Sequence, residues 1–109
     1  MNWIDLQTEE QLESIKQQSF TRPGVIFKHS TRCSISSMAK NRLDKSPLPD
    51  QADFYLLDLI KHRTLSNKIA EDFNVWHESP QILIIKDGKC IYDESHSGIT
   101  MKDIQTQLN

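Results

Sequence analysis

Two hydrophobic rhythms alternate along the chain. Ile35, Met38, Ala39, Arg42 and Leu43 recur at offsets of 3, 4, 7 and 8, the spacing of one helix face. Leu65, Ile69 and Phe73 repeat at every fourth position, and Met101, Ile104 and Leu108 are spaced by 3 and 4, predicting two more helices. A further helix is expected up to about Gln18. Thr8 with Gln11 three residues on forms a capping box, and Leu12, Ile15 and Lys16 continue it. Thr64 is the candidate cap of the helix through Ile69.

Between these lie shorter runs of strand character. Trp3–Leu6 reads as a short first strand, and Val25–His29, after the break at Arg22-Pro23-Gly24, as a second. Asp53–Leu59 is apolar on both faces, as a buried parallel strand should be. Gln81–Lys86 and Lys89–Glu94 flank Asp87-Gly88, a two-residue hairpin signal. Pro47 and Pro49 stop the helix that precedes the third strand, and Thr100–Leu108 closes the chain as a helix.

The order is therefore β-α-β-α-β-α-β-β-α. Right-handed crossovers make the first three strands parallel, and the hairpin adds two antiparallel strands to one mixed sheet with helices on both faces. This is the thioredoxin topology, expected as one α/β domain over residues 1–109. Cys33 falls between the second strand and second helix, where that fold carries its active cysteine. Ser79-Pro80 falls just before the fourth strand, where the fold carries its cis-proline.

Composition adds mainly exclusions. The 109 residues carry a formal charge of −2, 37% apolar and 26% charged residues, as an ordinary soluble α/β domain does. There is no basic footprint for nucleic acid, and no apolar run long enough to span a membrane. Met1 leads into Asp5, Glu9 and Glu10, unlike a signal peptide, so the cytoplasm is the expected compartment. A reducing compartment disfavours a structural disulfide between Cys33 and Cys90. Two cysteines with scattered histidines also make no zinc pattern, so no metal is expected.

The chemistry gathers at Cys33. Only a thiolate attacks a disulfide, and an ordinary thiol is largely protonated at neutral pH. The helix after Cys33 presents unpaired N–H groups at Ser34, Ile35 and Ser36, whose positive end favours an anion. Arg32 and, more distantly, Lys28 and His29 can add positive charge, and the Ser34 and Ser36 hydroxyls can donate to sulfur. The competing reading is a buried cysteine that happens to start a helix. Cys90 follows the hairpin turn at the opposite end of the sheet and reads as structural, with intermolecular exchange as the minority role. His77-Glu78-Ser79-Pro80 and Ser95-His96-Ser97-Gly98 converge on the Cys33 end. There the free N–H of Ser79 can pair with a bound thiol compound, and a helix start after Gly98 can receive a carboxylate. His77 and His96 also read as solvated loop residues, and Trp3 and Trp76 as packing residues.

Three segments, F-K-H-S-T-R-C-S-I-S-S, H-E-S-P-Q and D-E-S-H-S-G-I-T, together resemble the monothiol bacilliredoxin family, thioredoxin-like proteins of the bacillithiol redox system. The resemblance covers essentially the whole chain. The family's Thr-Cys-Pro-Ile-Ser-like motif is matched by Cys33-Ser34-Ile35-Ser36, with Ser34 replacing its proline and Arg32 preceding the cysteine. It implies an oxidoreductase that removes bacillithiol from protein mixed disulfides, Cys33 becoming bacillithiolated until a second thiol or a reductase resets it. Bacillithiol would be a co-substrate, with no tightly bound cofactor, and the partners would be S-bacillithiolated client proteins. Ser36, where a resolving cysteine would stand, fits that route. The substrate-binding set would be Ser79, Pro80, His96, Ser97 and Gly98. Arg32, Lys28, His96 and the last helix start would complement the malate carboxylates of bacillithiol. Two other classes remain: an iron–sulfur carrier like monothiol glutaredoxins, whose Cys-Gly-Phe-Ser motif Ser34-Ile35 departs from, and a non-catalytic thioredoxin-like interaction module.

Overall fold

The computed structural model describes residues 3–109. Its elements are β1 (Ile4–Asp5), α1 (Glu9–Gln18), β2 (Gly24–His29), α2 (Ser34–Asp44), β3 (Asp53–Asp58), α3 (Arg63–Phe73), β4 (Gln81–Lys86), β5 (Lys89–Ser95) and α4 (Met101–Leu108), with a 3-10 turn at His96–Gly98. The sheet order is β1-β3-β2-β4-β5. β1, β3 and β2 run parallel, β4 lies antiparallel to β2, and β5 antiparallel to β4. This is the expected mixed sheet, and the thioredoxin fold.

Alternation along each strand distributes side chains between two cores. Ile26, Leu57, Leu83 and Ile85 meet Leu12 and Ile15 of α1 and Leu65, Ile69 and Phe73 of α3 on one face. Val25, Phe27, Ile82 and Ile84 meet Ala39 and Leu43 of α2 and Met101 and Ile104 of α4 on the other. The four apolar residues Ile82–Ile85 of β4 are fully buried, each contributing roughly 1.5–3 kcal/mol by transfer from water. A bulge at Ile84/Ile85 leaves Ile91 of β5 outside the ladder and exposed.

Several boundaries differ from expectation. The first strand shrinks to Ile4–Asp5, and Leu6 makes one further bond to the Leu56 carbonyl. The Thr8–Gln11 capping box forms in both directions. Thr64 does not cap α3. His62 holds that position, because the Asp58 carboxylate accepts from the backbone N–H of Ile60 and Lys61 and starts the turn earlier. β5 runs one residue further, to Ser95, and α4 begins at Met101 with Thr100 as its cap.

Candidate active site

Cys33 occupies the N-cap position of α2, partly exposed, with extended backbone angles. Its carbonyl accepts from Ser37 N–H, and its own N–H donates to the Ser30 carbonyl at 3.3 Å. The helix begins at Ser34, so Ser34, Ile35 and Ser36 form its first turn directly beyond the thiol. Arg32 and Ser34 are exposed beside it, and the Arg32 guanidinium makes no ion pair among the described residues.

Ser36 is engaged elsewhere. It is fully buried, its hydroxyl lies 2.6 Å from His29 Nδ1, and it accepts from Ser30 N–H at 3.0 Å. The hydroxyl thus ties α2 to both the end of β2 and the loop carrying Cys33. No hydrogen bond from Ser34 or Ser36 reaches the Cys33 sulfur among the described residues.

The expected cationic roles of Lys28 and His29 need correction. Strand alternation sends them to opposite faces. Lys28 is fully buried against α3, its Nζ donating to the Ser66 carbonyl at 3.1 Å and lying 3.3 Å from His77 Nδ1. Burial pushes its amine down to about 8. A buried Lys28 cannot touch a ligand carboxylate. His29 lies toward α2, stacked on Phe27, and burial, reinforced by the Lys40 charge, holds its imidazole below the ordinary histidine value. It is therefore predominantly neutral at pH 7.

Ser79-Pro80 is cis, as expected. Ser79 Oγ is buried without a hydrogen-bond partner among the described residues. The loop is held from beneath by Gln81, whose amide donates to the Trp76 carbonyl at 2.8 Å and accepts from Glu78 N–H at 3.4 Å. His77 points inward to Lys28 and Ser66 rather than into solvent, and burial, Lys28 and Arg63 together lower its basicity. Trp3 packs as expected, against Phe27 and Phe54, with its indole N–H on Asp44. Trp76 does not: it is 90% exposed beside the cis-proline loop. Ile35 and Met38 are exposed on the first turns of α2.

The His96–Gly98 turn meets the cis-proline loop through His96 N–H, which donates to the Pro80 carbonyl at 3.1 Å, and through a 3.7 Å contact between His96 Nε2 and Glu78. His96 sits at φ 56. Arg42 of α2 clamps the turn by donating to the carbonyls of His96 and Ile99. Gly98 leaves room for the Glu94 carboxyl, which would stand 2.6 Å from an added Cβ. Ser97 is exposed on the same turn. The expected helix start after Gly98 lies within one residue of its expected place: α4 begins at Met101, Thr100 Oγ1 accepts from Asp103 N–H, and the Asp103 carboxylate stands in the first turn. That carboxylate disfavours a further anion there.

Cys90 lies at the other end. Its neighbour across the ladder, Ile85, pairs in turn with Gly24 at the start of β2, whereas Cys33 follows the end of that strand. The length of β2 alone is about 16 Å, against the roughly 7 Å limit between alpha carbons for a disulfide. Both cysteines are free, and burial pushes the Cys90 thiol up to about 11.

On the β3 side of the Cys33 loop is a cavity of about 210 Å³, lined among others by His29, Thr31, Asp58, Lys61 and His62. Sequence reasoning missed Gln81, Arg42 and the His29–Ser36 pair. Gln81, His29 and Ser36 signal themselves as polar residues at positions the strand and helix periods bury, whereas Arg42 is exposed and carries no such signal.

No helix among the described residues is long and apolar enough to cross a membrane. The chain is similar over 97% of its length, at 28% identity and a TM-score of 0.84, to a candidate oxidoreductase with a thioredoxin fold, covering 93% of that protein. Thioredoxins of Malassezia sympodialis (15% identity, TM-score 0.76, 98% of this chain and 88% of that one) and Trypanosoma brucei brucei (15%, 0.73, 98% and 87%) share the fold. The family model described as monothiol bacilliredoxin BrxC matches residues 4–104. With one accessible thiol at the start of α2, and a serine one turn on where a second thiol could resolve it, the chain belongs to the monothiol bacilliredoxin family.

Proposed function

We propose that the protein is a thiol-disulfide oxidoreductase that removes bacillithiol from mixed disulfides on client proteins. The observation that carries this reading is the isolation of Cys33. It is accessible at a helix start, its helical neighbour at the resolving position is a buried serine, and Cys90 lies a strand length away. The Cys33 thiolate attacks the bacillithiol sulfur of the mixed disulfide, the client cysteine leaves as thiolate and takes a proton, and Cys33 carries the bacillithiol. With no internal thiol in reach, a second low-molecular-weight thiol or a reductase must attack that adduct. The backbone of Ser79, beside cis-Pro80, offers an extended edge to the bound thiol compound. His96, Ser97 and Gly98 flank it from the neighbouring loop, Arg32 adds an exposed positive charge on the thiolate side, and Ser36 holds the loop that carries Cys33 through Ser30 N–H.

Intact-mass analysis tests the reading. Incubation with a bacillithiolated client should add one bacillithiol mass to the protein, at Cys33, and return the client to its reduced mass. Transfer of client rather than bacillithiol to Cys33, or no transfer at all, would refute it.

Two further outcomes are expected. Arg32→Ala should slow reaction with bacillithiol mixed disulfides by roughly fivefold or less, as an exposed charge does, and the loss should shrink at high salt. A neutral reagent such as hydroxyethyl disulfide should be affected less. Equal losses would make Arg32 a modulator of sulfur rather than a reader of the ligand. Trp76→Ala should weaken turnover of protein clients while sparing small disulfides, because a 90% exposed indole beside the reacting loop has only a macromolecular surface to cover. Parallel kcat/KM values for both substrate types would check it.

A further inference from the structure

We propose that His77 is a proton-operated latch on the loop that carries Ser79 and Pro80: as a neutral ring it pins the loop to Lys28 and Ser66, and a proton at Nδ1 releases it. The latch stands on hydrogen bonding alone. Its bearing on exchange rests on the reading that the Ser79 backbone receives the bound thiol compound, and it makes His77 a positioning residue of that site.

The loop is gripped from one face of the sheet. Lys28 of β2 and Gln81 of β4 are register partners on neighbouring antiparallel strands, so their side chains leave the same face, and both are buried. Gln81 holds the backbone of Trp76 and Glu78. Lys28 holds the side chain between them, with its Nζ 3.3 Å from His77 Nδ1. Ser66 Oγ of α3 stands 3.3 Å from the same nitrogen.

The donors in this cluster are fixed by chemistry. An ammonium has N–H groups and no lone pair, and at neutral pH Lys28, even at about 8, is mainly charged. His77 Nδ1 is therefore the acceptor, the ring proton sits on Nε2, and Ser66 Oγ can only donate to Nδ1. Nδ1 is also the nitrogen that must take the next proton. An imidazolium carries N–H on both nitrogens, so no rotation of the ring restores an acceptor to Lys28. Lys28 cannot yield its own proton to make room, because its amine stays charged at the lower pH where histidine titrates. Two cations would then face each other at a buried site, and the ring must leave. His77 lines an open groove with Asn67, Glu71 and Trp76, which gives it a route to water.

The charges around the ring come from every element against it. Burial is the largest influence against the imidazolium, Lys28 from β2 and Arg63 from α3 add to it, and Glu78 on the loop opposes them. Glu71 of α3 shares the groove wall. His96, after β5, meets the loop at Glu78, 3.7 Å away, a contact that its own protonation strengthens, which is the opposite sign. With the loop closed His77 lies below its ordinary 6.5, and in the released loop it returns toward that value. Closure is therefore fully favoured above pH 6.5 and is lost as pH falls below it.

Amide hydrogen exchange of Glu78, whose N–H is held by Gln81, reads the latch. Divided by the intrinsic rate at each pH, its protection should be nearly level above pH 7. It should fall by roughly five- to tenfold between pH 7.5 and 5.5, one proton being linked to opening. NMR of the His77 ring should show the Nε2–H tautomer at pH 7 and a midpoint below the ordinary histidine value. His77→Gln keeps a carbonyl acceptor for Lys28 and cannot take a proton, so it should retain the protection at pH 7.5 and lose the pH dependence. His96→Gln should lose neither. In the wild-type protein, which needs no substitution, a ring protonated at Nδ1 at pH 7, or protection unchanged down to pH 5.5, overturns the latch. So does a fall that persists in His77→Gln. None of these measurements uses bacillithiol or a client, so their failure and failure of the proposed reaction are separable.

Discussion

Lys28→Met is expected to stabilise the protein at neutral pH by on the order of 3 kcal/mol, while impairing turnover. The Lys28 amine is fully buried, and among the described residues it hydrogen-bonds the Ser66 carbonyl and His77 and no carboxylate. Its value is depressed from 10.5 to about 8, and each unit corresponds to about 1.4 kcal/mol. The sign is fixed by which state holds the proton. Between pH 8 and 10.5 the unfolded chain keeps the Lys28 proton and the folded chain has released it, so the wild-type protein gains stability as pH rises through that window. Below pH 8 both states are protonated, and the full cost of burying the charge is present. Methionine fills similar volume without a charge, and buried charges replaced by apolar residues often yield more stable proteins. His77 Nδ1 keeps Ser66 Oγ as a partner. Urea unfolding at pH 7 and pH 10 would check both parts. The variant should lead at pH 7 and lose most of that lead at pH 10. A variant less stable at pH 7, or a lead independent of pH, would show that Lys28 is not a buried charge in solution. The functional cost follows from position, since the lysine anchors the segment leading to Ser79 and Pro80.

Cys33→Ser is expected to reduce exchange to the uncatalysed background, and Cys90→Ser to leave it essentially intact. A hydroxyl at position 33 cannot form the mixed disulfide, and the chain has no substitute in reach. Cys90 is half-buried against the α1/α3 core, its sulfur contacting the Tyr92 carbonyl at 3.3 Å, and its thiol, pushed up to about 11, is almost wholly protonated at neutral pH. Its replacement should register as a small loss of stability rather than of rate. Single-turnover assays on both variants, with peptide mapping of the oxidised wild-type protein, would decide. A dominant Cys33–Cys90 bridge, or a Cys90→Ser variant stalled after the first transfer, would refute the monothiol scheme.

The fold was legible because its elements announce themselves at different periods, and because Cys33 and Ser79-Pro80 fall at corresponding points of the chain order. The Thr8–Gln11 box was readable because both partners are local. Lys28 was misjudged although its signal was present. It shares strand parity with Ile26, and both faces of the sheet are covered, so its side chain had to enter a core. The His29–Ser36 bond crosses a loop whose shape no local rule sets. Trp76 illustrates the opposite failure: tryptophan usually packs, and only the path of the loop before cis-Pro80 leaves it in solvent. The last helix starts close to its expected place, but the Asp103 carboxylate in its first turn makes it a poorer site for a ligand carboxylate.

The placement of the two cysteines at opposite ends of the sheet has a kinetic consequence. An oxidised molecule cannot store its adduct internally, so each holds at most one and is idle until an outside thiol arrives. Under that scheme the second half of each cycle is first order in the surrounding reducing thiol. The working rate then becomes a readout of the thiol pool itself: fast when the pool is full, stalled in the adduct form when it is depleted. On the proposed scheme, a folded domain with one exchanging sulfur would report the redox supply of its surroundings through the fraction of its own molecules left occupied.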